Sequence, residues 1–303
     1  MRHPPGPHLS LMPPTLDIAK IRTEVEAVST GIFNTSRQDL AYLTNRYQTQ
    51  FKQITPLVDF ILGRMDSVTL LMNAGKKWDA NILWRSALEV FGKFLRITNP
   101  ANEPALREEK LREFWVDIND IERMKDSNWA KKILATDRQQ DSKLYEPFVL
   151  TEEEENILKA KPTYANRTYR KALGESWSFN NIFMKLAQEG KTFHLIPLTH
   201  MQHRYLILSH LVHGDAWGLK IINMEKRYDA ETDAVNMLVE FIGNAKAANE
   251  MLIFMTLELA WIVGEKHMFQ RACDRYIQFN PYVVNQAKIA MDELFRLQDE
   301  RLP

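Results

Sequence analysis

The run Gln202-His203-Arg204-Tyr205-Leu206-Ile207-Leu208-Ser209-His210-Leu211-Val212-His213-Gly214-Asp215 holds the densest group of side chains able to move protons or meet an anion. Imidazoles serve general acid–base chemistry near neutral pH, and a guanidinium meets a phosphate or the charge that develops on it. On an ideal helix Tyr205, Ser209 and His213 fall within a stripe of about 80°, and His203, His210 and His213 form an overlapping one. Arg204 lies about 120° around from His210, so the two share a site only from a flank or across a dimer. A second polar place is Trp84-Arg85-Ser86-Ala87-Leu88-Glu89, where Arg85 and Glu89 stand four residues apart on one helix face and can pair. Such a pair is also an ordinary structural device, because a covered arginine needs a partner.

Three chemistries compete for the histidine segment. The histidines cap the helix, pair with an acid such as Glu89 or face water; or they bind zinc; or they serve a phosphodiester with Arg204, His210 and His213 acting directly. The spacing His-x6-His-x2-His fits no recognised zinc pattern, and Asp215 is the only carboxylate nearby. Neither a metal nor another cofactor is therefore expected.

The elements that must position these residues are helices. Gly is scarce, at 11 residues, and the long segments are rich in Ala, Leu, Met, Glu, Lys, Arg and Gln, which lose little rotamer freedom on a helix. With 45% hydrophobic and 26% charged residues in 303, the chain can bury a sizeable core. Its 39 basic and 39 acidic side chains balance, so no global attraction to nucleic acid or an anionic membrane is indicated. Cys273 is the only cysteine, which excludes an internal disulfide and suits a reducing, cytoplasmic setting. The apolar run Met251 to Val263 is too short to span a membrane and reads as a core helix, with Glu258 inside it calling for an Arg or His partner in a structural ion pair. Trp177, Trp217 and Trp261 read as core residues.

Residues 1–14, with five prolines, read as a disordered lead-in. Helices are expected from Leu16 to Val28, ended by Gly31; from a cap at Ser36 or Asp39 toward Ile54; and from Pro56 to Asn73. Another runs from a cap at Asp79 to Asn99-Pro100, forming an antiparallel hairpin with the one before. Glu103 to Lys125 is amphipathic, and about 126–175 reads as a polar insertion, the least ordered part, carrying short helices. Trp177 to Gln188, stopped by Gly190, Leu198 to His213, opened by Pro197, Thr232 to about His267, and a last helix opened by Pro281 and running to Leu297 complete an all-α bundle, one domain over 15–303.

The helix Trp78-Asp-Ala-Asn-Ile-Leu-Trp-Arg85-Ser-Ala-Leu-Glu89 resembles one signature of an uncharacterised family of bacterial helical proteins, and Tyr205, Ser209, His213 and Gly214 match its second, Tyr-x3-Ser-x3-His-Gly. The resemblance spans roughly Pro56 to Gly218 and carries kinship to HEPN proteins, helical bundles that often dimerise and include metal-independent ribonucleases of toxin and antiviral defence systems. Their motif is Arg, four to six residues, then His, a spacing that Arg204 and His210 meet. Two departures stand out: Tyr205 follows the arginine where a polar residue is common, and His213 lies nine residues beyond Arg204. The resemblance implies transesterification of RNA, with His210 or His213 moving the proton, Arg204 and Arg85 meeting the phosphate, and Glu89, Tyr205 and Ser209 in support. The expected partners are RNA, a protein from the same locus and a second copy of the chain, with no membrane. The alternative is a non-catalytic sensor or adaptor that binds a ligand or protein through the same polar centre.

Overall fold

In the computed structural model residues 16–99, 103–136, 142–189 and 198–301 are described, and among them every regular element is a helix. The all-α bundle expected from composition is what forms. The lead-in at 1–14 and the breaks at Gly190 and Pro197 lie outside the described residues.

The helix α1 (Ile18–Arg46) starts at Asp17, whose carboxylate accepts from the Lys20 N–H, and continues unbroken for 29 residues. Gly31 therefore does not end a helix, and Ser36 and Asp39 are buried in mid-helix rather than caps. A glycine interrupts a helix at a cost of only about 1 kcal/mol, and the face of α1 that packs along the later helix α14 (Ala230–Val263) outweighs it. After a short turn, α2 (Gln48–Phe51), the hairpin of α3 (Thr55–Asn73) and α4 (Lys77–Thr98) follows as expected. Pro56 opens α3, where its missing N–H is harmless. Gly75, at φ +70°, makes the reversal that an L side chain would resist. Asp79 lies in the first turn of α4 rather than capping it.

From Pro104 the chain stays helical to Thr136, as α5 (Pro104–Arg112), a π-helical segment (Glu113–Ile118) and α6 (Asn119–Thr136). The helix is thus longer than the expected Glu103 to Lys125. The wider π turn stacks residues five apart, so Arg112 Nη1 meets Asp117 Oδ2 at 2.6 Å. The described part of the insertion is helical: α7 (Ser142–Tyr145), α8 (Glu152–Ala160), α9 (Pro162–Ala165) and α10 (Arg167–Ser176). Thr151 and Glu154 form a reciprocal capping box at α8, which puts the four glutamates in its first turn, where the dipole favours them.

The remaining helices are α11 (Phe179–Glu189), α12 (Leu198–His213), α13 (Ala216–Glu225), α14 (Ala230–Val263) and α15 (Lys266–Arg301). The break expected near His267 falls at Gly264, whose φ of +72° closes α14. Pro281 lies inside α15 instead of opening a helix. A proline there removes the N–H that would bond the Ile277 carbonyl, and Ile277 itself is exposed. The main core gathers Phe51, Trp84, Phe91, Phe94, Phe183 and Phe254 between α3, α4, α11 and α14. Each such side chain contributes about 1.5–3 kcal/mol by leaving water. Trp177 belongs to it, whereas Trp217 and Trp261 lie about half exposed, contrary to the sequence expectation. No described helix is long and apolar enough to cross a membrane.

Candidate functional site

The site is a seam between α4 and α12. The period of α4 turns Ala80, Trp84, Ala87, Leu88 and Phe91 inward, which leaves Arg85 and Glu89 on its flank, partly covered. From there Arg85 donates from Nε to Ser209 Oγ at 3.0 Å and from Nη2 to Tyr205 Oη at 3.1 Å. Glu89 stands 3.8 Å from Nη1 of Arg85 and 3.2 Å from Nζ of Lys93. Both sequence signatures therefore meet through one guanidinium. Tyr205 is stacked on Phe179 of α11, with ring centroids 3.7 Å apart. Burial, with Glu89 nearby, pushes its phenol above the usual range despite the opposing effect of Arg85. It is a hydrogen-bonding phenol, not a phenolate.

Beyond this flank, α12 presents His203, Leu206, His210 and His213 outward. His210 Nδ1 lies 2.6 Å from Asp215 Oδ2. The other oxygen of Asp215 accepts the N–H groups of Trp217 and Gly218 at 3.1 and 3.0 Å, capping α13. Those backbone donors and then His210 hold the Asp215 carboxyl below the ordinary range. An ionised Asp215 accepts only, so Nδ1 of His210 carries the hydrogen and Nε2 remains for another partner. The turn that brings the two together needs glycine twice. Gly214 closes α12 at φ +57°, and a Cβ on Gly218 would lie 2.4 Å from the His210 carbonyl oxygen. Asp215 entered the sequence reading only as a possible metal ligand; the signal for its capping role was Gly-Asp directly after a helix end.

Arg204 is on the other side of α12. Its Nη2 donates to Asn244 Oδ1, stands 3.8 Å from Glu240 Oε2, and its guanidinium lies 5.5 Å from the Trp84 ring centroid. Desolvation pulls its pKa down, partly offset by Glu240. Arg204 lines a cleft of about 860 Å³ bounded by α12, α13, α14 and α15, away from the His210–Asp215 pair. The structure brings Arg85, Glu89, Tyr205 and Ser209 together, sets His210 and His213 on the adjoining exposed face, and separates Arg204 from all of them. Asn244 and Glu240, which direct Arg204, carried no local signal because they lie on α14, whose pairing with α12 no spacing rule gives.

Glu258, expected in an ion pair, has Thr98 as its hydrogen-bond partner, and burial pushes its carboxyl up to about 8. Among the described residues no group of three or more His, Cys, Asp or Glu side chains is placed to hold a metal ion.

Residues 54–229, more than half of the chain, match the model of a family of unknown function, DUF5677. That span runs from α3 to the end of α13 and includes both sides of the seam. No curated protein and no solved structure matches the chain.

Proposed function

The chain belongs to the DUF5677 family of unknown function, and from that premise we propose that it is a HEPN-like, metal-independent ribonuclease of a bacterial toxin or defence system, acting in the cytoplasm as a homodimer. The observation that carries this is the His210–Asp215 pair, 2.6 Å apart and about half exposed, with His210 next in sequence to Ser209, which anchors Arg85. In this reading Nε2 of His210 accepts the proton of an RNA 2′-hydroxyl as its oxygen bonds to the adjacent phosphorus. The bond to the 5′-oxygen breaks, that oxygen takes a proton from water, and the products are a 2′,3′-cyclic phosphate and a 5′-hydroxyl. Arg85 meets the charge on the phosphorane-like oxygens, held at the seam by Tyr205, Ser209 and Glu89. In the same reading His213, one turn from Ser209, contacts the same phosphate. Arg204 is a structural residue in this mechanism, unlike the arginine of the Arg-x5-His motif.

A second reading rests on the saturation of Arg85, each of whose nitrogens has a partner within 3.8 Å. A fully engaged guanidinium suits a non-catalytic adaptor, in which the histidine face with Leu206 receives a protein from the same locus. Incubating purified protein with labelled RNA, alongside growth on expression, separates the two. Cleavage and toxicity lost in a His210→Ala/His213→Ala double variant that still folds support the nuclease. No cleavage by the wild type, or equal cleavage by both, overturns it.

A further inference from the structure

The long helix α14 separates two cavities. The face carrying Glu240, Gly243 and Ala247 borders the cleft that Arg204 lines. The face carrying Phe241, Asn244, Ala245 and Ala248 borders a second cavity of about 440 Å³, enclosed by α1, α3, α4 and α14. The second is within the volume range of small-molecule sites. Its walls are largely apolar, including Phe33, Met65, Val68 and Phe241, and Trp84 and Asn244 complete the lining.

Those last two residues each have a buried donor without an acceptor: Nε1 of Trp84 and Nδ2 of Asn244. Both residues are more than nine-tenths buried, at 0% and 5% exposed. The orientation of the Asn244 amide is fixed by chemistry. Arg204 can only donate, so the oxygen of Asn244 must face it and the NH2 must face away. A buried donor left unpaired costs about 1–3 kcal/mol, and both of these belong to residues that line one apolar cavity.

We propose that the cavity between α1, α3, α4 and α14 binds an apolar small molecule bearing a neutral carbonyl oxygen, which accepts from Trp84 Nε1 and Asn244 Nδ2. A carboxylate fits less well. Trp84 and Asn244 offer two neutral donors, and Arg204, to which Asn244 is bonded, is already engaged by Asn244 and Glu240. A buried carboxylate would stay under-compensated. At the rim Glu26 and Asp66 add negative charge, with Asp66 paired to Arg37 at 2.8 Å. Arg204 is here a positioning residue, acting through Asn244. The site is independent of the α4–α12 seam and of the reaction proposed there.

Titration of the full-length protein with octanamide, followed by calorimetry, tests this, with octanoate in parallel. The amide is expected to bind at least tenfold more tightly than the acid. Asn244→Asp keeps an acceptor for Arg204 while removing the NH2 donor, and Trp84→Phe removes the indole N–H; each should weaken octanamide at least tenfold. Circular dichroism and melting identify a variant that fails to fold, and the other then decides. No heat with octanamide (water alone serving the two donors), tighter binding of octanoate, or unchanged affinity in a folded variant would each overturn the proposal.

Discussion

Arg85 and Ser209, 124 positions apart in the chain, are joined by a hydrogen bond of 3.0 Å from Nε to Oγ, and this contact ties α4 to α12. A guanidinium serves it because its donors diverge in a fixed plane, so Nε and Nη2 reach Ser209 and Tyr205 together. Lysine has the charge without the fork. Arg85→Lys is expected to lower stability by about 2 kcal/mol, since hydrogen bonds from a charged group contribute about 1.5–3 kcal/mol each and one can be re-formed. Ser209→Ala should lose about 1 kcal/mol. Urea denaturation of the two single variants and the double one checks the pair. Additive losses would show that the contact carries no energy.

Two glycines in helices should respond in opposite directions. A methyl at Gly218 would meet the backbone of His210 at 2.4 Å, where nothing flexible can yield. Gly218→Ala should cost at least about 3 kcal/mol, through the strain of parting α12 from α13. Gly31 has open space where its Cβ would stand and lies within α1. Gly31→Ala should stabilise by about 0.5–1 kcal/mol. Thermal melts of both variants read the two signs directly.

Glu258 links the core to pH. Its folded carboxyl titrates at about 8, against about 4.3 for an unfolded glutamate. Between those values the folded chain keeps a proton that the unfolded chain has released, so this residue lowers stability as pH rises from about 4 to about 8. Glu258→Gln keeps the shape and removes the titration. It should raise the melting temperature by about 5 °C at pH 8 and hardly at all at pH 4.5. A shift of equal size at both values would show that the carboxyl does not titrate in this window.

Asp215 has two duties that one substitution separates. Asparagine caps helices about as well as aspartate, so Asp215→Asn should leave stability within about 1 kcal/mol of the wild type. The partner of His210 then loses its charge. If the RNA-cleaving reading holds, kcat falls with little change in KM and the pH profile moves. A parallel drop in melting temperature and activity would instead mark Asp215 as structural only.

Much of the seam was legible because it depends on spacing within single helices. Arg85 and Glu89 are four residues apart, and Tyr205, Ser209 and His213 repeat every four, so each set had to share a face. That these two faces meet is a tertiary fact carried by Arg85, and sequence could place it only through the resemblance. Arg204 shows where spacing stops. Its angle from His210 was readable, but its partner Asn244 lies on α14, and only packing reveals that the side chain turns there. The glycines and Pro281 failed for another reason. Gly31 and Gly264 look alike in sequence, yet one is accommodated within a helix packed along its length and the other takes a left-handed φ. Pro281 stays within α15, whose face at Ile277 is exposed, rather than opening a new helix.

The hydrogen bond from Arg204 to Asn244 passes through the wall between two cavities, and a single guanidinium serves both sides. A molecule engaging Asn244 from the α1–α3 side would bear on how firmly Arg204 is retained, and one drawing on Arg204 or Glu240 from the larger cleft would bear on how firmly the amide is oriented. Linkage makes that influence mutual: whatever factor one occupant imposes on the other's affinity is returned unchanged.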